Sequence, residues 1–177
     1  LPSEREALKL LSQAGCAQDV VNHCKAVADL AVEIAEACNR KSKKVDVRLV
    51  RIGALLHDIG RARTHIVDHG LLGAYLAEEL NLSPSVVSII ERHVGSGITS
   101  EEAEKLGWPV KDYVPDTLEE KLVAYADKLI AGSRRVTFAV ALERFSQDRT
   151  TFEGSVRRLL CMHKDILCAS TSEGSSG

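Results

Sequence analysis

The sequence predicts an all-α fold, a compact multi-helix bundle, and three observations carry that expectation. Apolar residues recur at steps of three and four along most of the chain, the period of one helical face. Helix-start signals recur too: Ser3 with Glu6, Asp46, Ser83 followed by Pro84, and Thr117 with Glu120. No stretch alternates apolar and polar residues as a half-buried strand would, and no repeat is evident.

The first helix spans residues 3–14, capped by Ser3 and ended by Gly15. A long helix over 18–40 carries the stripe Val20, Cys24, Val27, Ala31, Ile34 and Cys38, and the basic run 40–44 is a solvated connector. The third helix, 46–59, starts at Asp46 and stops at Gly60. Residues 61–68 are polar and irregular, with Thr64 and Asp68 both resembling caps, and 69–80 is helical. Ser83 caps 83–93, with Pro84 in the first turn, where a missing N–H costs nothing. Residues 94–116 hold a glycine-rich turn, a short acidic helix (SEEAEKL) and the segment with Trp108 and Tyr113, which either wall a pocket or cap the core. Thr117 caps 117–131, and two more helical stretches follow at 135–146 and 154–169.

The length of 177 residues fits one domain over 1–170, with a disordered tail at 171–177. Hydrophobic residues are 45% and charged residues 27%, ordinary for a globular protein. Aromatics are only 4% and net charge is −2, which argues against extended nucleic-acid binding but not against a small phosphorylated ligand. The five cysteines, Cys16, Cys24, Cys38, Cys161 and Cys168, form no CxxC and read as reduced, buried thiols of a cytoplasmic protein. No run reaches the ~20 apolar residues of a membrane span. Apolar faces on the last two helices (Phe138, Val140, Leu142; Val156, Leu159, Leu160) fit either the core or a second subunit of a homo-oligomer.

Against this background the stretch ALLHDIG, 54–60, places His57 and Asp58 at the end of an apolar helix. Other ionisable residues also lie on apolar faces. His23 precedes Val27, Leu30 and Ile34; His69 precedes Leu72 and Leu76; His93 follows Val86, Ile89 and Ile90; Asp127 lies among Val123, Ala124, Ile130 and Ala131. A lone inward histidine is more often a satisfied core residue than a ligand. A buried carboxylate is harder to place, because an unpaired buried charge is costly. No Lys or Arg shares the faces of these two aspartates, whereas four histidines lie on such apolar faces. Imidazole with carboxylate is the donor set of a divalent transition metal.

His23, the His57–Asp58 doublet and Asp127 followed by Lys128, on successive helices across about 17–135, resemble the HD superfamily of metal-dependent phosphohydrolases. The resemblance implies a first metal on His23, His57, Asp58 and Asp127. His69 and His93 fall where two-metal members carry extra histidines, implying a second ion shared through Asp58. It places Asp58 and His57 at the catalytic centre. The implied reaction is hydrolysis of a phosphate ester or anhydride of a nucleotide or similar small molecule, by a hydroxide bridging two ions roughly 3.5–4 Å apart. Iron or manganese suits the donors; zinc, cobalt or nickel could take the same site. No GYP motif accompanies the doublet, which weighs against cyclic-di-nucleotide activity.

Phosphates need cations, and the sequence offers Arg61 and Arg63 just after the doublet, Lys128 beside a ligand, and Arg134 or Arg135 after the last ligand helix. Each is equally readable as solvated surface charge. His65 is a substrate contact or proton shuttle on this reading. Two alternatives stand beside the two-metal enzyme: a non-catalytic metal-bound nucleotide-sensing module, and a one-metal nucleoside monophosphate phosphatase.

Overall fold

The computed structural model describes residues 1–148 and 152–170. The tail expected to be disordered, 171–177, lies outside them. The order is α1 (Glu4–Ala14), α2 (Gln18–Arg40), α3 (Val47–Leu56), a 3-10 turn (Ile59–Ala62), α4 (His69–Glu79), α5 (Pro84–Arg92), α6 (Ser100–Leu106), α7 (Leu118–Lys128), β1 (Ile130–Ala131), β2 (Arg134–Arg135), α8 (Phe138–Gln147) and α9 (Ser155–Ser170). The two strands form a small antiparallel ribbon that the sequence reading did not anticipate.

Local chemistry sets most boundaries. Ser3 with Glu6, Thr99 with Glu102, and Thr117 with Glu120 form complete capping boxes, each satisfying orphan N–H groups at a helix start. Asp46 Oδ1 accepts from Leu49 N–H at 2.9 Å. Two expected caps differ. The Ser83 hydroxyl makes no cap bond, and Asp68 instead accepts from the Trp108 indole N–H at 2.7 Å.

α2 is the central post, packed against α3, α7 and α9. Its stripe of Val20, Cys24, Val27, Ala31 and Cys38 is buried, and Leu56, Ile89, Leu122 and Leu159 meet the same core. Burying each such Leu or Ile contributes about 1.5–3 kcal/mol. A smaller cluster holds Leu71, Ile98, Ala103, Trp108 and Tyr113, so the two aromatics belong to a core. Cys24 and Cys38 are buried free thiols, but Cys161 and Cys168 are exposed on α9, contrary to the expectation of buried cysteines. Of the C-terminal apolar residues, Leu159 enters the core while Val140 and Leu160 face solvent.

Two departures position the site. α3 ends at Leu56 rather than Ile59, so His57 is its cap residue and Asp58 stands between helix and 3-10 turn. Gly60 is therefore not the helix stop. It lies inside the 3-10 turn, where a Cβ would fall 1.9 Å from His69 O and 2.7 Å from Gly73 N. α4 also turns a different face inward: Gly70, Gly73, Ala74 and Ala77 are buried, whereas Leu72 is exposed. Small residues win that face because the turn and α5 approach too closely for leucine.

Candidate metal centre

Each of the six ionisable residues arrives at the end of an element or along α2. His23 lies in the second turn of α2, His57 caps α3, Asp58 follows it, His69 opens α4, His93 caps α5, and Asp127 is next to last in α7. At a helix end the chain changes direction, so the neighbours His57 and Asp58 serve one centre despite the roughly 100° between adjacent helical side chains.

Asp58 is the hub. Its Oδ1 lies 3.3 Å from His69 Nε2 and 3.4 Å from His93 Nε2. Its Oδ2 lies 3.7 Å from His57 Nε2 and 3.9 Å from His23 Nε2. Asp127 Oδ1 adds contacts of 2.9 Å to His23 Nε2 and 3.6 Å to His57 Nε2. Two groups of donors could each hold an ion: His23, His57 and Asp58, and Asp58, His69 and His93. His57, Asp58, His69 and His93 are at most 6% exposed.

The hydrogen bonds fix the imidazole tautomers. Nδ1 of His57, His69 and His93 bonds the carbonyls of Ala54, Ile66 and Ile90, each three residues earlier and each at 2.7 Å. His23 Nδ1 bonds Gly132 O at the same distance. A carbonyl only accepts, so every Nδ1 carries a hydrogen, and the neutral His69 and His93 each present a lone pair at Nε2. All four Nε2 atoms converge on two carboxylates, with His23 Nε2 hydrogen-bonded to Asp127 Oδ1 at 2.9 Å. His57 Nε2 and Asp58 Oδ1 are buried without any hydrogen-bond partner. Around Asp58 Oδ1, the Nε2 atoms of His69 and His93 are acceptors facing an acceptor without a donor, which is costly, and a cation removes that cost. Metal-bound histidines are held in the same way, with the far N–H on a carbonyl. The donor set therefore fits a divalent ion.

Protonation follows the same geometry. Burial drives the His69 pKa down to about 3, with His93 adding to the effect. Burial also lowers His93. Both are neutral at ordinary pH, ready to bind a cation. Burial opposes a charge on His57, but the Asp58 carboxylate outweighs it and holds His57 well above its usual value. Asp58 and Asp127 stay ionised against burial, Asp58 through His57 and Asp127 through Lys128.

The expectation that no Lys or Arg reaches the aspartates is corrected here. Arg61 Nε bonds Asp58 Oδ2 at 2.6 Å from the 3-10 turn, and Lys128 Nζ pairs with Asp127. Face arguments missed both, because Arg61 lies beyond the helix and Lys128 folds back on its neighbour. Arg61, His65 and Lys128 line a cavity of about 540 Å³ that reaches His69, and Arg61 and Lys128 also line a second, of about 380 Å³, that reaches His23 and Asp127. Neither cavity includes Arg63, which is exposed, or Arg134, which lies exposed on β2; Arg135 bonds Glu33. Sequence reasoning did not single out Arg144, Val94 or Phe152, which line these cavities from α8 and two connections.

Known proteins related in sequence or fold place the chain in a family. A family model described as HD domain matches residues 20–132. An uncharacterised protein of Methanocaldococcus jannaschii is 46% identical over 161 residues, covering 91% of this chain and 95% of that protein. The tRNA (cytidine(56)-2′-O)-methyltransferase of Picrophilus torridus is 38% identical over 168 residues, 94% of this chain. Ribonuclease Y of Acidothermus cellulolyticus is 33% identical over 145 residues, 77% of this chain. The chain spans 47% of the methyltransferase and 25% of the ribonuclease. In fold it is similar to the HD domain of the L. monocytogenes phosphodiesterase PgpH in complex with cyclic-di-AMP, with a TM-score of 0.55 at 18% identity, covering 95% of this chain and 98% of that one. No helix among the described residues is long and apolar enough to cross a membrane. By its sequence match, and with the His57–Asp58 doublet at the hub of its buried cluster, the chain belongs to the HD-domain family.

Proposed function

We propose that this chain is a metal-dependent phosphohydrolase acting on an ester or anhydride bond of a small phosphorylated molecule, with nucleotides the first class to test. One observation carries the reading: four imidazoles with Nδ1 tied to carbonyls aim their Nε2 atoms at two buried carboxylates. His23, His57, Asp58 and Asp127 would hold one ion, and Asp58, His69 and His93 a second, with Asp58 giving one oxygen to each. Nitrogen and oxygen donors without thiolate suit iron or manganese, and zinc, cobalt or nickel could bind the same set. Such ions supply Lewis acidity toward phosphate oxygens and lower the pKa of bound water.

The chain's own groups do the rest. Arg61 and Lys128 border both cavities, so a phosphate there meets a guanidinium and an ammonium. His65 is exposed at the larger cavity, and on this reading it contacts the substrate or gives a proton to the departing oxygen. Hydrolysis forms one P–O bond from water and breaks another, the leaving oxygen taking up a proton. The fold likeness to a phosphodiesterase domain captured with cyclic-di-AMP supports a nucleotide-sized substrate.

The relatives support a second reading of the substrate, an RNA, since homologous segments occur in a tRNA methyltransferase and in ribonuclease Y. The net charge of −2 weighs against a long RNA track. The deciding experiment is hydrolysis of bis(p-nitrophenyl) phosphate by purified chain loaded with Mn(II) or Fe(II). Loss of activity on chelation and in Asp58→Ala supports the proposal; activity that survives Asp58→Ala overturns it. A short RNA oligonucleotide run in parallel separates the two substrate readings.

A further inference from the structure

The centre opens on two sides of opposite character. On the His69 side, Ile66, Val67, Val94, Ile98 and Phe152 line the recess of about 540 Å³, a size that accepts a drug-sized apolar group. On the other side, His23 and Asp127 face the smaller recess of about 380 Å³, where Arg144 joins Arg61 and Lys128. Arg61 and Lys128 already bond Asp58 and Asp127, so among the described residues lining that recess Arg144 is the cation not engaged with a carboxylate of the cluster.

We infer that the substrate is substituted on both sides of its reacting phosphate and binds in one direction. The phosphate lies at the Arg61–Lys128 seam. An aromatic, base-like group fills the Ile66–Phe152 recess, and a second substituent bearing one further anion extends to Arg144. The inference rests on the phosphohydrolase reading and deepens it: the substrate is a diester or anhydride rather than a terminal monoester. A monoester would leave one of the two recesses empty.

The test uses the full chain loaded with Mn(II) and three chromogens: p-nitrophenyl phosphate, thymidine 5′-(p-nitrophenyl phosphate), and the same diester carrying a 3′-phosphate. The expected order of kcat/KM is monoester, diester, 3′-phosphorylated diester, with the last step at least about tenfold, the scale of one charge-assisted contact. Arg144→Ala should erase that last step. Ile66→Asp, at a residue 63% exposed and so tolerant of change, should raise KM for both diesters. Phe152→Ala is the second probe of the same recess. Calorimetric titration of thymidine 3′,5′-bisphosphate against thymidine 5′-monophosphate reads the Arg144 contact without turnover, and Arg144→Ala should equalise the two affinities. A monoester hydrolysed as well as the diesters, or a 3′-phosphate preference that survives Arg144→Ala, overturns the inference. Either result leaves the phosphohydrolase reading intact if Asp58→Ala still abolishes hydrolysis of all three, whereas no hydrolysis of any chromogen overturns both.

Discussion

His69 Nε2 and His93 Nε2 face each other at 3.1 Å, and neither carries a hydrogen to share, because each Nδ1–H is spent on the carbonyl three residues before it. Asp58 Oδ1 completes a triangle of acceptors at 3.3 and 3.4 Å. Three converging acceptors without a donor describe a cation site. If the two donor groups each hold an ion, wild-type chain reconstituted with Mn(II) should carry about two ions and His93→Ala about one, by elemental analysis. Asp58→Ala, which removes the oxygen given to each, should fall below one. Equal metal content in wild type and His93→Ala would show that the second group binds nothing.

Acid should weaken the metal-free protein in a defined window. His69, at about 3, and His93 are held below the ordinary imidazole value, first of all by burial. The unfolded chain takes up protons on both near pH 6.5, while the folded chain does not. Stability is therefore lost as pH falls below about 6.5. His57 is raised, so below that pH it is protonated in both states and adds no slope. Asp58 and Asp127 are lowered, so their contributions vanish only in the ordinary carboxylate range or below. Between about pH 6.5 and 4.5 the chelated wild type should lose up to about 1.4 kcal/mol per pH unit through His69, with His93 adding to the loss in the same direction. Denaturant melts of His69→Gln should show a shallower slope; an unchanged slope refutes the assignment.

The contact of Gly60 with α4 makes a sharp steric prediction. An added Cβ would meet His69 O at 1.9 Å and Gly73 N at 2.7 Å, both backbone atoms that cannot swing aside. Gly60→Ala should therefore destabilise by at least about 1–3 kcal/mol, or roughly 2–4 °C in Tm per kcal/mol for a chain of this size. It should also push His69 off Asp58 and lower metal content at the second group. A melt unchanged from wild type would show that the turn and α4 are not in contact.

That contact also marks the boundary of what the sequence could reveal. Helix starts were readable because Ser3, Asp46 and Thr117 announce themselves with a side-chain oxygen at the right spacing. The inward placement of His23, His57, Asp58, His93 and Asp127 was readable because each sits in a leucine, isoleucine or valine stripe. The face of α4 was not, since Gly70, Gly73 and Ala74 carry little hydropathy signal and Leu72 pointed the wrong way. Small residues are chosen there by the nearness of another backbone, a tertiary fact with no local period. β1 and β2 hold two residues each, too short to alternate. Arg144 lies more than eighty residues from the His57–Asp58 doublet, and only the packing of α8 brings it to the cluster.

The far wall of the apolar recess depends on one arginine. Arg158 of α9 bonds Glu102 at 2.7 Å, Gly97 O at 3.0 Å and Ser155 Oγ at 2.9 Å, tying α9 to the loop that carries Gly97 and Ile98. Glu102 is only 7% exposed and also closes the capping box of α6. Removing the guanidinium leaves that carboxylate with one local partner, the Thr99 N–H, and no counter-charge. Arg158→Ala should cost about 3 kcal/mol, the lower end for breaking a buried pair. The double change Arg158→Met with Glu102→Gln should recover part of the loss, since no charge is then stranded. Because Gly97 and Ile98 line the recess, Arg158→Ala should also raise KM for nitrophenyl diesters more than it lowers kcat. Equal melts for Arg158→Ala and wild type would show that the pair carries no weight. A fall in kcat at constant KM would place Arg158 in the chemistry rather than in the wall.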